Sequence, residues 1–339
     1  MIRFVRLVAA LGLVALCAGP APAQDLGNSI TVDRLEFPVT LPDGSRQTIV
    51  GFLSYHGSFR DRPLQVVVHG ATYNHTYWDF PDVNGRSYSY ARFMAAPERK
   101  YAVLAIDQLA AGYSSHPANG LAVTLLETAS ALDQVIDAMR SGNNPLGYPF
   151  SRIVLVGHSA GAVAATYVQA LWHPADALVV TAARHATGLP LSPGIQAVAP
   201  YVPVLAALSY FPLPAAMREQ LFYYAPGADA AVIAVDNATA DMWTGGQVTS
   251  TFSAFLYPLL APEIDHVSQV AGPVLIQLGE FDALFPAGSD AAETALWSSS
   301  VPAVQTIRGV GHDFNLHLNR EESWTGIALW LSSTLNWRQ

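Results

Sequence analysis

The chain of 339 residues has one cysteine, Cys17, and one lysine, Lys100. A single thiol excludes an intramolecular disulfide and any zinc site built on paired cysteines. Only 13% of the residues are charged, and 26 acidic side chains face 17 basic ones, so nucleic acid is not an expected partner. There is no His-Glu-x-x-His, no glycine-rich phosphate loop and no dinucleotide fingerprint. Asp82-Val83-Asn84-Gly85 begins like a calcium loop but lacks the later acidic ligands. No metal and no cofactor is expected, and the chain carries neither an internal repeat nor a low-complexity tract.

The chain opens on Arg3 and Arg6, an uncharged apolar run from Leu7 to Ala18, and Gly19-Pro20-Ala21-Pro22-Ala23. This pattern predicts a cleaved secretory signal peptide over residues 1–23, with export to the periplasm or beyond the cell. The run is too short for a stable membrane anchor. Cys17 lies inside it, so the mature chain would have no thiol, and losing Arg3 and Arg6 would take the formal net charge from −9 to about −11. With 51% hydrophobic residues, the rest can bury one large core, suiting a single α/β domain with an insertion.

Residues 30–55 read as an antiparallel strand pair around Leu41-Pro42-Asp43-Gly44. Further strands are expected at 64–68, 101–106, 153–156, 177–181, 273–278 and 303–307. Helices are expected at 86–96, 121–139, 161–171, 290–297 and 321–335. Such alternation implies a mostly parallel sheet with helices on both faces. Residues 184–271 depart from it: proline-rich and aromatic, they read as a cap of short helices inserted between core segments 24–183 and 272–339.

Chemistry enters at Arg152–Val163. A valine-rich strand breaks at Gly157-His158-Ser159-Ala160-Gly161 into a helical segment. A serine held in a strained strand-to-helix turn needs small neighbours, and Gly157 and Gly161 provide them. Ser159 is the candidate nucleophile, and the Ala160 N–H at the helix start points where negative charge would develop on an attacked carbonyl. A serine nucleophile needs a base and an orienting carboxylate at the carboxyl ends of strands. The strand at 273–278 leads to Glu280 and Asp282, and that at 303–307 to Gly309-Val310-Gly311-His312, with His317 five residues on. Asp282 and His312 are the preferred acid and base, with Glu280 and His317 as alternatives. His158 reads as a packing residue and His69 as a loop-fixing one; the other histidines, at 56, 75, 116, 173, 185 and 266, have no partner at useful spacing.

With these motifs the mature chain resembles the α/β-hydrolase superfamily along essentially its whole length. The resemblance implies the α/β-hydrolase fold, a nucleophile-acid-histidine order filled by Ser159, Asp282 and His312, and a cap between the sixth and seventh strands. It also matches His69-Gly70 to the family's oxyanion loop, so that Ala71 would add a backbone N–H to that of Ala160. Asp107–Ser114 resembles the family's Asp-x-x-x-x-Gly-x-Ser stretch, although Leu109 and Ala110 stand where Pro and Gly are usual. The implied function is a secreted serine hydrolase cleaving carboxylic esters through an acyl-enzyme. An amidase, a peptidase, a thioesterase and a non-catalytic binding protein on the same scaffold are the alternatives. The expected partner is a small-molecule ester with an apolar group, contacted by Trp243, Met242 and Tyr113, with Gly245-Gly246 as a hinge after Trp243.

Overall fold

The computed structural model describes residues 29–186, 192–252, 266–288 and 290–335. The expected signal peptide lies outside these residues, as do 187–191 and 253–265 of the expected cap. The strands β1 (Ile30–Thr40), β2 (Arg46–His56), β3 (Leu64–Val68), β4 (Ala102–Asp107), β5 (Ile153–His158), β6 (Ala177–Thr181), β7 (Val274–Gly279) and β8 (Ala303–Ile307) form one sheet. Their order is β1-β2-β4-β3-β5-β6-β7-β8. β2 runs antiparallel to β1 and β4, and all other pairs are parallel.

Period-two side chains divide the core into two layers. In β3, Val66 and Val68 enter one apolar cluster and Val67 the other. The first cluster receives Leu132, Val135, Ile136 and Met139 from α2 (Leu125–Ser141) and Ala162, Ala165 and Val168 from α3 (Ala160–Leu171). The second receives Tyr90 and Met94 from α1 (Tyr90–Ala95) and Trp324, Ile327 and Leu331 from the closing helix Arg320–Leu335. Each fully buried Val, Leu or Ile contributes about 1.5–3 kcal/mol. The sheet is therefore a rigid platform for the loops at its carboxyl edge.

Two local expectations shift. The helix expected from Leu121 begins at Leu125, because Thr124 caps it in a reciprocal box with Glu127; it ends at Gly142, where φ is 83°. Of 86–96 only Tyr90–Ala95 is helical. Arg86–Tyr88 pairs instead with Phe80–Val83, across a turn in which Asn84 and Gly85 have φ of 52° and 72°. The calcium-like stretch is thus a two-residue hairpin turn, which demands two left-handed residues.

Between β6 and β7 the described residues form short helices at Pro193–Val198 and Val202–Leu205, then α4 (Ala215–Phe222) and α5 (Ala230–Thr239). A hairpin joins Tyr210–Pro212 to Met242–Thr244, placing Trp243 opposite Phe211. Residues some thirty positions apart pair here, which no local pattern signals. Gly245 and Gly246 are not placed as a hinge. Both are buried, and a Cβ on either would run into the backbone oxygen of Leu208 or Val123, so they close-pack the cap on the core.

Candidate active site

Ser159 sits between β5 and α3 with φ 53° and ψ −122°, a conformation costing a non-glycine residue about 1–3 kcal/mol. Its N–H is tied to the Thr181 carbonyl at 2.9 Å, which anchors the turn to β6. A Cβ on Gly157 would stand 2.5 Å from the Ala162 Cα, and one on Gly161 would strike the carbonyls of Val68 and His69. The tight packing that imposes this conformation therefore needs both glycines.

The structure brings Ser159, His312 and Asp282 together. Ser159 Oγ lies 2.8 Å from His312 Nε2, and His312 Nδ1 lies 2.9 Å from Asp282 Oδ2. The second oxygen, Oδ1, accepts the N–H groups of Leu284 and Phe285 at 2.8 and 2.9 Å, so the carboxylate cannot swing away. A carboxylate at Nδ1 keeps the proton there and leaves Nε2 to accept from the serine hydroxyl. Both His312 and Asp282 are buried, and the Phe222 ring stacks on His312 at 5.5 Å. Burial works against an imidazolium, yet Asp282, with help from Asp313, overcomes it and holds the His312 pKa above its ordinary value.

The alternatives lie elsewhere. Glu280 is exposed and accepts the Gly309 N–H. The His317 ring is buried, accepts the N–H groups of Gly311 and Tyr224 through Nε2, and faces the Asp313 carbonyl through Nδ1. Burial lowers its pKa, and it serves as a neutral brace for the turn that carries His312.

Ala160 opens α3, and the first N–H groups of a helix have no intrahelical partner. Ala71 follows His69 and Gly70. The His69 ring bonds the Gly70 carbonyl at 2.8 Å through Nδ1 and accepts the Gln108 N–H through Nε2, so it fixes this loop as a neutral imidazole. Burial lowers its pKa accordingly. Ala110, standing where the family usually has Gly, still adopts φ 72° beside this loop.

Two cavities meet at these alanines. One is apolar and includes Ser159, with Val198, Leu213, Met217, Phe222 and Phe285 among its walls. The other, smaller, is lined by His69, Thr72, Gln108, Thr128, Gln247 and Thr251 among others. Trp243 lines both, and Met242, half exposed, lines the second. Tyr113 lines neither: 66% exposed, it leans on Phe52 and His75 with Arg34 over its ring. The turn at Ala110–Gly112, with positive φ at Ala110 and Gly112, directs Tyr113 outward.

Sequence reasoning missed a buried polar network behind the site. Arg218 of α4 bonds Asp236 of α5 at 2.7 Å and the Thr72 side chain beside Ala71. Tyr223 also donates to Asp236, and the Tyr73 hydroxyl, within reach of both Asp236 and Asp313, gives its one proton to Asp313, the nearer carboxylate. Burial pushes the Asp313 carboxyl up to about 6, against the pull of His312, Tyr73 and Arg218. A lone arginine within a short helix carries no periodic signal, so only the tertiary structure shows that α4 is tied to the loop at 69–72. Two histidines read as unpartnered also have carboxylates: His75 lies 2.7 Å from Asp107, and His185 3.0 Å from Glu293.

Among the described residues, no group of three or more metal-ligating side chains is placed to hold an ion, and no helix is long and apolar enough to cross a membrane. No curated protein matches the chain significantly. Solved structures similar to it include a thermophilic esterase from Thermogutta terrifontis, with 16% identity and a TM-score of 0.60 over 88% of this chain and 98% of that one. A monoacylglycerol lipase from Paleococcus ferrophilus is 16% identical, with a TM-score of 0.57 over 90% and 99% of the two chains. A thioesterase domain from the curacin biosynthetic pathway is 16% identical, with a TM-score of 0.55 over 89% and 99%. At such identities these likenesses speak for the fold alone. The model of the alpha/beta hydrolase family, however, matches residues 65–322, most of the chain, and spans every strand from β4 to β8 and the whole constellation around Ser159: the chain belongs to the alpha/beta hydrolase family.

Proposed function

We propose that the protein is a serine hydrolase of carboxylic esters. The observation that carries this reading is the unbroken chain from Ser159 Oγ through His312 to Asp282, at 2.8 and 2.9 Å. In this reading His312 Nε2 takes the hydroxyl proton as Ser159 Oγ bonds to the ester carbonyl carbon. The carbonyl oxygen turns anionic toward the N–H groups of Ala71 and Ala160. Asp282 steadies the imidazolium, which returns the proton to the departing alcohol. Water, deprotonated by His312, then releases the acid from the acyl-enzyme. The apolar cavity that includes Ser159 supports a substrate with an apolar group. Export follows the leader over residues 1–23 in the same proposal, and N-terminal sequencing of the exported protein checks it.

The test is labelling by a fluorophosphonate together with hydrolysis of p-nitrophenyl butyrate. Both should be lost in Ser159→Ala, with the rate falling by several orders of magnitude in a protein that remains folded. Retained hydrolysis in that variant defeats the assignment, and absence of labelling in the wild type leaves the binding-protein reading.

A further inference from the structure

The two cavities share Ala71, Ala160, Trp243 and Thr251, so the oxyanion position opens into both of them. We propose that the second cavity is a subsite for a compact, uncharged, hydrogen-bonding group on the acyl side of the scissile bond, which makes the substrate an ester of a short hydroxylated acid with an apolar alcohol. This rests on the ester-hydrolase reading above.

The chemistry of the walls sets the kind of group. Among the described residues no Asp, Glu, Lys or Arg lines the second cavity, and its histidine, His69, is spent on the Gly70 carbonyl and the Gln108 N–H. A carboxylate or ammonium seated there would be buried without a counter-charge, at a cost of several kcal/mol. A hydroxyl or amide needs only hydrogen bonds. Thr251 offers one: it is 4% exposed, lines both cavities, and its hydroxyl makes no hydrogen bond among the described residues. Gln247 and Thr128 stand with it, joined by a 3.3 Å contact from Gln247 Nε2 to Thr128 Oγ1. A ligand group that bonds this hydroxyl gains a hydrogen bond that an apolar group of the same size would not make.

His312 decides which half of the ester goes where. The leaving oxygen must receive its proton from His312 Nε2, so the alcohol lies on the side of that ring. Phe222 and Phe285, whose rings pack against His312 at 5.5 and 5.9 Å, line the apolar cavity and not the polar one. Ser159 likewise opens into the apolar cavity. The alcohol therefore takes the apolar cavity, and the acyl group points past Ala71 and Ala160 toward Thr251, with Trp243 as the partition.

The experiment compares hexyl lactate with hexyl propanoate, which differ by one hydroxyl on the acid, and adds 1-monohexanoylglycerol, in which the polar group is on the alcohol. Because the hydroxyl also activates the ester chemically, the readout is the kcat/KM ratio of lactate to propanoate in the wild type against the same ratio in Thr251→Val. The ratio should fall by about fivefold or more in the variant, with Gln247→Met moving it in the same direction as a second check. A ratio that both variants leave untouched overturns the subsite. A wild-type preference for monohexanoylglycerol over hexyl lactate, sensitive to Thr251→Val, overturns the placement of the acyl group. If no ester is cleaved and no fluorophosphonate binds, the ester-hydrolase reading itself has failed, a result distinct from either.

Discussion

His158 Nε2 faces Asp313 Oδ1 across 3.5 Å; both atoms are buried, and neither has another hydrogen-bond partner. His158 Nδ1 meets Thr181 Oγ1 at 3.1 Å, its ring stacks on Tyr77 at 4.3 Å, and Asp313 Oδ2 accepts from Tyr73. Two bare lone pairs would repel at this separation, so the pair is stable only with one proton between them. Burial, followed by the nearby His312, keeps His158 far below its ordinary pKa and opposes an imidazolium there. The pair is thus a neutral histidine, with its proton on Nε2, beside a carboxylate that is next in sequence to His312.

Asp313→Asn tests that proximity. An amide can donate to His158 Nε2 and accept from Tyr73, so the protein should stay folded. It removes a negative charge that favours imidazolium at His312. The His312 pKa should fall, and as the base must be unprotonated, the acidic limb of the kcat/KM profile for p-nitrophenyl butyrate should move to lower pH. A limb that stays in place or moves up contradicts the electrostatic role.

The acid can be assigned by a pair of variants. Asp282→Asn keeps the contacts from Leu284 and Phe285 but lets an amide hold His312 in the wrong tautomer; activity should drop by about 10⁴-fold. Glu280→Gln, on an exposed side chain that accepts only the Gly309 N–H, should change activity less than about threefold. A reversed pair of effects would make Glu280 the orienting acid.

Glu293 ties the segment after β6 to the residues after β7, accepting from the His185 and Ala186 N–H groups and from Trp297 Nε1 while pairing with the His185 ring. Burial alone would raise its pKa, but these contacts, His185 first, hold it at about 2 against an ordinary 4.5. A depressed carboxyl contributes stability above its unfolded pKa and loses it as pH falls toward the folded one. Glu293→Gln should therefore lose on the order of 3 kcal/mol at pH 7, and the gap to wild type in chemical denaturation should close between about pH 4.5 and 2. A gap independent of pH would mean the side chain acts by shape alone.

The platform and the constellation were legible in the sequence because both rest on local signals. The apolar run Leu64–Val68 and the breaks at Gly157 and Gly161 announce strands and elbow within a few residues, and Asp282 and His312 follow strands of their own. What escaped depends on contacts distant in sequence. Trp243 meets Phe211 only through a hairpin closed across α4 and α5, and Arg218 reaches Thr72 from 146 positions away. The outward direction of Tyr113 has the same origin, since it follows from the left-handed Ala110 and Gly112.

Trp243 offers the remaining test, because packing and selectivity pull its effects apart. It is 7% exposed, faces Phe211 at 6.2 Å between ring centres, and lines both cavities. Trp243→Ala should cost about 3–5 kcal/mol of stability through the void it leaves, seen as a lower Tm. Were packing its whole contribution, kcat/KM for all esters would drop in proportion. As the wall between two chambers, however, it limits how much of either half fits, so its removal should favour the longer of two p-nitrophenyl esters, butyrate and octanoate, by several-fold. Trp243→Phe, which restores most of the ring, should recover stability first and the original ratio in part. An unchanged octanoate-to-butyrate ratio in Trp243→Ala would leave Trp243 as a packing residue of the cap.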